Sequence, residues 1–443
     1  MIRAWHILVF CLAGCVAACQ GSKARQARLS ERIDSISRKV EEIRGERFRS
    51  RVEGRVLARA DLLRIYDSAS MDESDPADSA WDRMIWTLGF IDSLGALDGV
   101  ADSVDQASIE AFYTRGVLWV VDDMLDSSRL DLTIAHELAH ALQDQRWDLR
   151  KLYRKHRGLD QRLSLQYLLE GEARLVETLY EHPSTDPREV LGYLPQLSME
   201  SFRDSLRAVG GLDPEFVTLP TYHTYEQGAR ALGLRRIRGG WKAVDEWFAD
   251  PPPTWCFLHP DSACIAPVDP DPSPLFPSSK GWWLLREGRM GEHYLNILLS
   301  LWRESHLWFP DSAIKAREIL AWSTREPDPD SISALWRGDR FQVLRDREGN
   351  LALAWRTIWK DSAAARAFQD AYLRVLVRKQ RDDSLHTLTD RRVLFHDTQA
   401  GVWDQVERSG REVWISEGVP GLRPFQFPAH IDPNTLRTPR SGR

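Results

Sequence analysis

The chain alternates between stretches of helical and of strand periodicity. Leu29, Ile33, Ile36, Val40 and Ile43 are spaced four, three, four and three apart within the charged segment 22–45. That is a heptad seam on one helix face. Two heptads predict a helical spacer over residues 19–48, between an N-terminal anchor and the body, with dimerisation as the sharper alternative. R-S-R-V-E-G-R-V-L (49–57) reads as a strand, followed by a helix from Arg59 to about Ala69. Trp81, Ile85, Leu88 and Ile91 recur at helical spacing between Asp75 and Ser93. I-E-A-F-Y, T-R-G and V-L-W-V-V (109–121) predict a β-hairpin with its glycine in the turn. Helices follow over Asp131–Arg146 and Leu159–Tyr180. A Pro-rich stretch, 266–279, is the linker candidate. Beyond it the pattern predicts helices over Trp282–Leu301 and Asp311–Trp322, and a hairpin over 340–359. A long helix, Ser362–Lys379, and short strands at Val393–Phe395 and Glu412–Ile415 complete it. The expected fold is therefore α+β, with a first unit at 49–265 and a second α+β unit at 280–443.

The first nineteen residues, M-I-R-A-W-H-I-L-V-F-C-L-A-G-C-V-A-A-C, carry one charge, Arg3, and an apolar run too short for a comfortable membrane span. They resemble a bacterial lipoprotein signal, in which a small-residue box precedes the cysteine that takes the lipid. L-A-G-C ends at Cys15 and V-A-A-C at Cys19; cutting before Cys15 leaves a very short apolar core, so Cys19 is preferred and residues 1–18 are read as signal. Gln20, following that cysteine in place of aspartate, favours the outer membrane of a bacterial envelope, facing periplasm or surface. Of five cysteines only Cys256 and Cys264 then remain in the body. In an oxidising compartment they read as a disulfide, with two free buried thiols as the alternative.

Composition narrows the function. The 59 Lys+Arg nearly balance 65 Asp+Glu, and the cations are scattered, almost all of them Arg. No basic stripe tracks a phosphate backbone and no Gly-rich phosphate loop appears, which argues against nucleic acid and nucleotide partners. No Ser or Cys nucleophile arrangement is visible. The 18 tryptophans read as buried aromatic surface.

T-I-A-H-E-L-A-H-A-L-Q-D-Q-R-W (133–147) carries the chemistry. His136 and His140 are one helical turn apart, so both project from one face and can grip one Zn²⁺. Glu137 sits beside them, placed to act as general base on water at the metal. Leu130, Ile134, Leu138, Ala141 and Leu142 supply the packed opposite face. A catalytic zinc needs a third protein ligand, and Y-L-L-E-G-E-A-R-L-V-E (167–177) offers Glu170 and Glu172. These stand about 200° apart on a helix, so only one can face the metal.

Here the sequence resembles the gluzincins, the thermolysin-like zinc peptidases, whose third ligand is a glutamate on the helix after H-E-x-x-H. Their E-G-x-A stretch maps onto Glu170, Gly171 and Ala173, which implies Glu170 as ligand and Glu172 as a companion behind it. The resemblance also implies a zincin-like catalytic domain in which Ile109–Tyr113 or Val117–Val121 is an edge strand that pairs with peptide substrate, a purely structural hairpin being the alternative. An oxyanion donor is expected downstream, and T-Y-H-T-Y-E-Q-G offers Tyr222, His223 and Tyr225, with Tyr225 and His223 favoured. Asp144 is a candidate carboxylate behind His140, or else a surface partner of Arg146 or Arg150. His259 reads as a structural histidine.

H-E-L-A-H-A-L-Q-D-Q, E-G-E-A, Y-E-Q-G, G-G-W-K-A-V-D, P-P-x-x-x-x-x-L-H-P, G-D-R-F and T-I-W together look like a poorly characterised family of exported prokaryotic H-E-x-x-H proteins, over most of residues 45–380. T-W-C-F before L-H-P departs from it. The expectation is a lipid-tethered zinc peptidase acting on a peptide or protein. The alternatives are an inactive envelope binding protein, or a zinc amidase of cell-wall peptides.

Overall fold

Side-chain periodicity sorts into two layers of helix against sheet in the computed structural model. It describes residues 3–62, 64–65, 78–91, 109–183, 186–194, 215–270, 281–303, 328–379, 384–389, 391–397 and 401–420, with side chains over most of them. The fold is α+β. The first half holds α1 (Arg3–Arg44), β1 (Glu53–Leu57), α2 (Asp78–Leu88), β2 (Ala111–Thr114), β3 (Val117–Val121), α3 (Leu130–Trp147), α4 (Leu149–Lys155), α5 (Leu159–Glu181), α6 (Pro187–Tyr193), α7 (Glu215–Ala249) and α8 (Trp255–Leu258). The second half holds β4 (Trp283–Gly288), α9 (Gly291–Arg303), α10 (Pro329–Ser333), β5 (Trp336–Arg345), β6 (Leu351–Trp359), α11 (Ser362–Lys379), β7 (Ser384–Leu388), β8 (Arg392–Asp397), β9 (Val402–Ser409) and β10 (Glu412–Pro420). The helix expected over Asp311–Trp322 and residues 271–279 of the linker lie outside the described residues. Among the described residues no helix is long and apolar enough to cross a membrane.

The heptad seam of α1 packs within its own chain. Leu29, Ile33, Ile36 and Val40 are buried in one cluster with Ile134, Leu138, Ala141 and Val176. Each such side chain gains roughly 1.5–3 kcal/mol of transfer free energy. This corrects the spacer reading: the segment is a structural wall of the first half. Gly54 lets α1 lie against β1, because a Cβ there would come within 2.2 Å of Ile33 Cδ1. β1 runs parallel to β3 and β2 antiparallel to it, in the order β1-β3-β2, so among the described residues β2 is a free edge. The β2–β3 turn places Arg115 and Gly116 at φ +50° and +84°, the left-handed pair that a two-residue hairpin turn of this hand needs.

α3 ends at Asp148, whose φ of +54° stops the helix while its side chain accepts from the Lys151 amide at 3.1 Å and starts α4. α5 and α7 then cross at backbone contact. A Cβ on Gly171 would lie 2.4 Å from the Gly228 carbonyl carbon, and one on Gly228 would lie 2.6 Å from Tyr167 O. The glycines of E-G-E-A and Y-E-Q-G are therefore contact glycines between two helices. α7 breaks near its end at Gly239–Gly240, where Gly240 takes φ +66°.

The second half is built on one antiparallel sheet, β4-β5-β6-β10-β9-β8-β7, backed by α11. Residues 283–288, expected to open a helix at Trp282, form strand β4 instead, with Glu287 opposite Gln342 on β5. A short apolar run is ambiguous between strand and helix, and Gly291 at φ +78° bars the helix from beginning earlier. β7 and β9 were not evident in the hydrophobic pattern. One core joins the halves: Leu163, Tyr167 and Phe257 share a cluster with Trp336, Trp355, Phe368 and Val413. The start of the Pro-rich stretch also lies against β5, since Val268 N–H donates to Arg337 O at 2.7 Å.

Two buried carboxylates seat α9 at that junction. Asp339 accepts from the amides of Met290 and Gly291 at 2.8 and 3.1 Å and from the indoles of Trp336 and Trp355 at 3.1 and 3.0 Å. Asp160 accepts from the amide and hydroxyl of Thr254, and burial pushes its carboxyl up to about 6.

Two measurements follow from this packing. Gly228→Val forces α5 and α7 apart and is expected to lower the thermal midpoint by several degrees, on the order of a 1–3 kcal/mol overpacking cost; an unchanged midpoint refutes the contact. For Asp160, the folded value lies above the unfolded value of about 3.9. Folding thus favours the neutral acid, and stability contributed below pH 4 is lost as pH rises through 6. Asp160→Asn keeps the acceptor oxygen without the charge. Denaturant titrations should show it gaining on the native protein between about pH 4 and 6, by on the order of 2 kcal/mol.

Candidate metal centre

α3 presents His136 and His140 on one face, with ring centroids 4.9 Å apart at 79°. α5 presents Glu170 to them: His136 Nε2 and His140 Nε2 lie 3.4 and 3.5 Å from the same oxygen, Oε2. One donor atom from each residue lies within 4.8 Å of the other two. Glu170 Oε2 is buried and makes no hydrogen bond of acceptable geometry. Two imidazole nitrogens and one unsatisfied carboxylate oxygen converging in this way fit a small divalent cation such as Zn²⁺.

The far ring nitrogens are both engaged. His136 Nδ1 meets Glu177 Oε2 at 3.2 Å, and His140 Nδ1 meets Gln143 Oε1 at 2.9 Å. A carboxylate and an amide oxygen can only accept, so each ring donates from Nδ1, and in the neutral imidazole Nε2 is then the lone-pair nitrogen facing Glu170. Glu177 also accepts from Arg174 at 2.7 Å. Burial would raise its carboxyl, but the hydrogen bond from His136 and the charge of Arg174 outweigh burial and hold it low. For His136 burial disfavours the cation, yet the carboxylates of Glu170 and Glu177 push it up to about 10. Glu170 is held far below the usual carboxylate range, against burial, by the two histidines. The field of three carboxylates around two imidazoles thus draws positive charge to one point.

Glu137 lies beside the cluster and accepts the Tyr113 amide of β2 at 2.8 Å. Its carboxyl is raised, first by burial and further by Glu170, with the histidines opposing. The hairpin is tied to α3 twice more: Thr133 Oγ1 donates to Glu110 at 3.0 Å, and the Tyr113 hydroxyl donates to Asp144 at 2.9 Å. Val121 N–H bonds Glu110 O, and Ala111 stands opposite Val120. Antiparallel alternation then directs the backbone groups of Ala111 and Tyr113 to the open edge.

Tyr225 of α7 stacks on His136, centroids 5.7 Å apart at 14°. Its hydroxyl is raised well above its ordinary range, chiefly by the Glu170 carboxylate and then by burial. His223 is not at the site. It packs edge-on against His293 at 4.8 Å, and burial lowers it to about 4. Positions 223 and 225 stand about 200° apart on the helix, so the structure brings only one of this pair to the His136–His140–Glu170 group. The Tyr222 side chain lies outside the described residues, as do those of Cys15 and Cys19.

Asp144 does not back His140; it takes the Tyr113 hydroxyl and the Leu149 amide at 3.2 Å. Arg146 pairs with Glu46 and Asp245 instead of Asp144. Glu172 is buried one residue further back, between Arg44 and Gln143. Cys256 and Cys264 are joined in a disulfide with Cα atoms 5.0 Å apart. It closes the loop bearing His259, which pairs with buried Glu292 at 2.9 Å. Sequence reading missed Glu177 and Gln143. Both had a positional signal, seven residues after Glu170 and three after His140, which returns each to its ligand's helix face.

Residues 284–423 match the family model described as a domain of unknown function (DUF8575), a segment that excludes the His136–His140–Glu170 group. No curated protein and no solved structure matches the chain.

Glu177→Leu removes the acceptor behind His136. Its zinc affinity, read by competition with a chromophoric chelator, is expected to fall about 10–100-fold. Unchanged affinity would separate Glu177 from the metal centre.

Proposed function

We propose that this chain is a zinc-dependent peptidase of the gluzincin type, held to a bacterial envelope by a lipid on Cys19. The observation that carries the reading is the convergence of the Nε2 atoms of His136 and His140 on Glu170, beside a half-buried Glu137 whose carboxyl is raised. A zinc ion held by His136, His140 and Glu170 would supply Lewis acidity towards a scissile carbonyl and its attacking water. Glu137 takes the proton from that water and returns it to the leaving amine. Burial and Glu170 support this role by making its carboxylate a better proton acceptor than a solvated one. Tyr225, stacked on His136, is the donor that this scheme assigns to the developing oxyanion.

The open edge of β2 supports a peptide as substrate. Backbone groups of Ala111 and Tyr113 face outward next to Glu137, so an extended chain added there would carry its amides past the metal. The Tyr113 amide already belongs to Glu137, which links the strand to the base itself. Export is supported by the Cys256–Cys264 disulfide, a bond suited to an oxidising compartment. A binding protein with an idle zinc site would give Glu137 no task beyond holding the Tyr113 amide, yet desolvating a carboxylate is costly.

The native protein is expected to carry about one zinc and to cut a broad peptide library. Glu137→Gln should retain the zinc and lose about 10²–10⁴-fold in kcat. Zinc in both proteins with cleavage by neither peptide nor muropeptide assay would overturn the hydrolase reading, and cleavage of muropeptides alone would move the substrate to a cell-wall amide.

A further inference from the structure

We infer that Arg44, the last residue of α1, sets the orientation and tautomer of His140 through Glu172 and Gln143, which makes the N-terminal helix part of the metal centre. The inference rests on the metal-site reading and deepens it. Arg44 is only 5% exposed. Its Nε donates to Glu172 Oε1 and its Nη2 to Asp245 Oδ1. The other oxygen of Glu172 accepts from Gln143 Nε2 at 2.8 Å, and the same nitrogen donates to Leu169 O at 3.0 Å. Both partners of that nitrogen can only accept, so the Gln143 amide cannot flip without setting oxygen against oxygen. Its Oε1 therefore faces His140 Nδ1 at 2.9 Å. An oxygen there requires the proton on Nδ1, so in the neutral ring the Nε2 lone pair faces Glu170.

The far end of this relay is itself clamped. Trp241 donates its indole N–H to Ile43 O at 2.7 Å, and the Arg44 guanidinium lies over the Trp241 ring at 4.4 Å. α1 cannot slide along α3 without breaking both contacts and unseating Ile36 and Val40. A buried ion pair is a weak source of stability, because desolvation offsets the attraction. A positioning role accounts better for burying Arg44 and Glu172 directly behind the residue that holds a ligand. Without Arg44 the Glu172 carboxylate loses its principal donor, and Gln143 loses the fixed acceptor that forbids its flip.

The test compares three variants of the full chain with the native protein. Arg44→Met removes the donors at similar size, Gln143→Met removes the relay's last link, and Ile36→Ala loosens α1 without touching it. Zinc affinity is measured by chelator competition. The His140 tautomer is read from imidazole nitrogen shifts in histidine-labelled, chelator-treated protein, at a pH high enough for the ring to be neutral. Arg44→Met and Gln143→Met are expected to lose about 10-fold or more in zinc affinity and to move His140 away from the Nδ1–H form. Ile36→Ala, at a comparable loss of thermal midpoint, should change neither. If it weakens zinc as much as Arg44→Met does, or if the two relay variants leave the tautomer as in the native protein, the inference is overturned. Should Arg44→Met fail to fold, Gln143→Met decides. If native protein binds no zinc, the metal reading falls, while the tautomer comparison still tests the relay.

Discussion

The backbone contact between α5 and α7 is the constraint on which the site depends. Glu170 and Tyr225 come from helices far apart in sequence, and both must reach His136. Side chains of ordinary size at the crossing would hold helix axes 8–10 Å apart. Gly171 and Gly228 remove that spacing, since a methyl on either would meet the other helix's backbone. The closer approach lets a glutamate one residue before Gly171 and a tyrosine three residues before Gly228 face the same imidazole. The glycine in each short motif is thus a geometric requirement of the carboxylate or phenol beside it.

The second constraint is electrostatic. Glu137, Glu170, Glu172 and Glu177 crowd round two histidines in a buried region. Such crowding is tolerated only where every charge has an assigned partner. Glu177 has Arg174 and His136; Glu172 has Arg44 and Gln143; Glu137 has a backbone amide. Glu170 alone keeps an oxygen without a proper hydrogen bond. The unsatisfied atom falls where the Nε2 atoms of the two histidines meet, which is where a cation has most to gain.

The parts of this arrangement legible in sequence are those fixed by spacing within one helix. His136, Glu137 and His140 follow from a single turn, and the choice of one residue from Glu170 and Glu172 follows from their angular separation. The same angular argument separates His223 from Tyr225, which the structure resolves in favour of the tyrosine. Contacts between elements were not legible. Nothing in the heptad of α1 says whether its partner is a second copy or Ile134 and Leu138 of the same chain. Asp144 stands one turn beyond His140, yet the hairpin places the Tyr113 hydroxyl on it and engages it there instead of behind His140. β4 was hidden because W-W-L-L-R-E satisfies either period, and only pairing with β5 decides.

The seven-stranded sheet bears on the site through α9, not through its own surface. Asp339 gathers the first amides of α9 and the indoles of two tryptophans into one buried knot, so the helix is seated on β5 and β6. From α9, His293 accepts or donates a 2.6 Å hydrogen bond with the Tyr167 hydroxyl, and Tyr167 lies three residues before Glu170 on α5. Tyr167 O is also the backbone atom nearest to a methyl placed on Gly228. The sheet therefore braces, through α9, the same segment of α5 that α7 touches, and α9 also meets α7 at His223. With α5 held by α7 and α9, and α3 held by α1 and the hairpin, the two helices that carry His136, His140 and Glu170 have little freedom to separate.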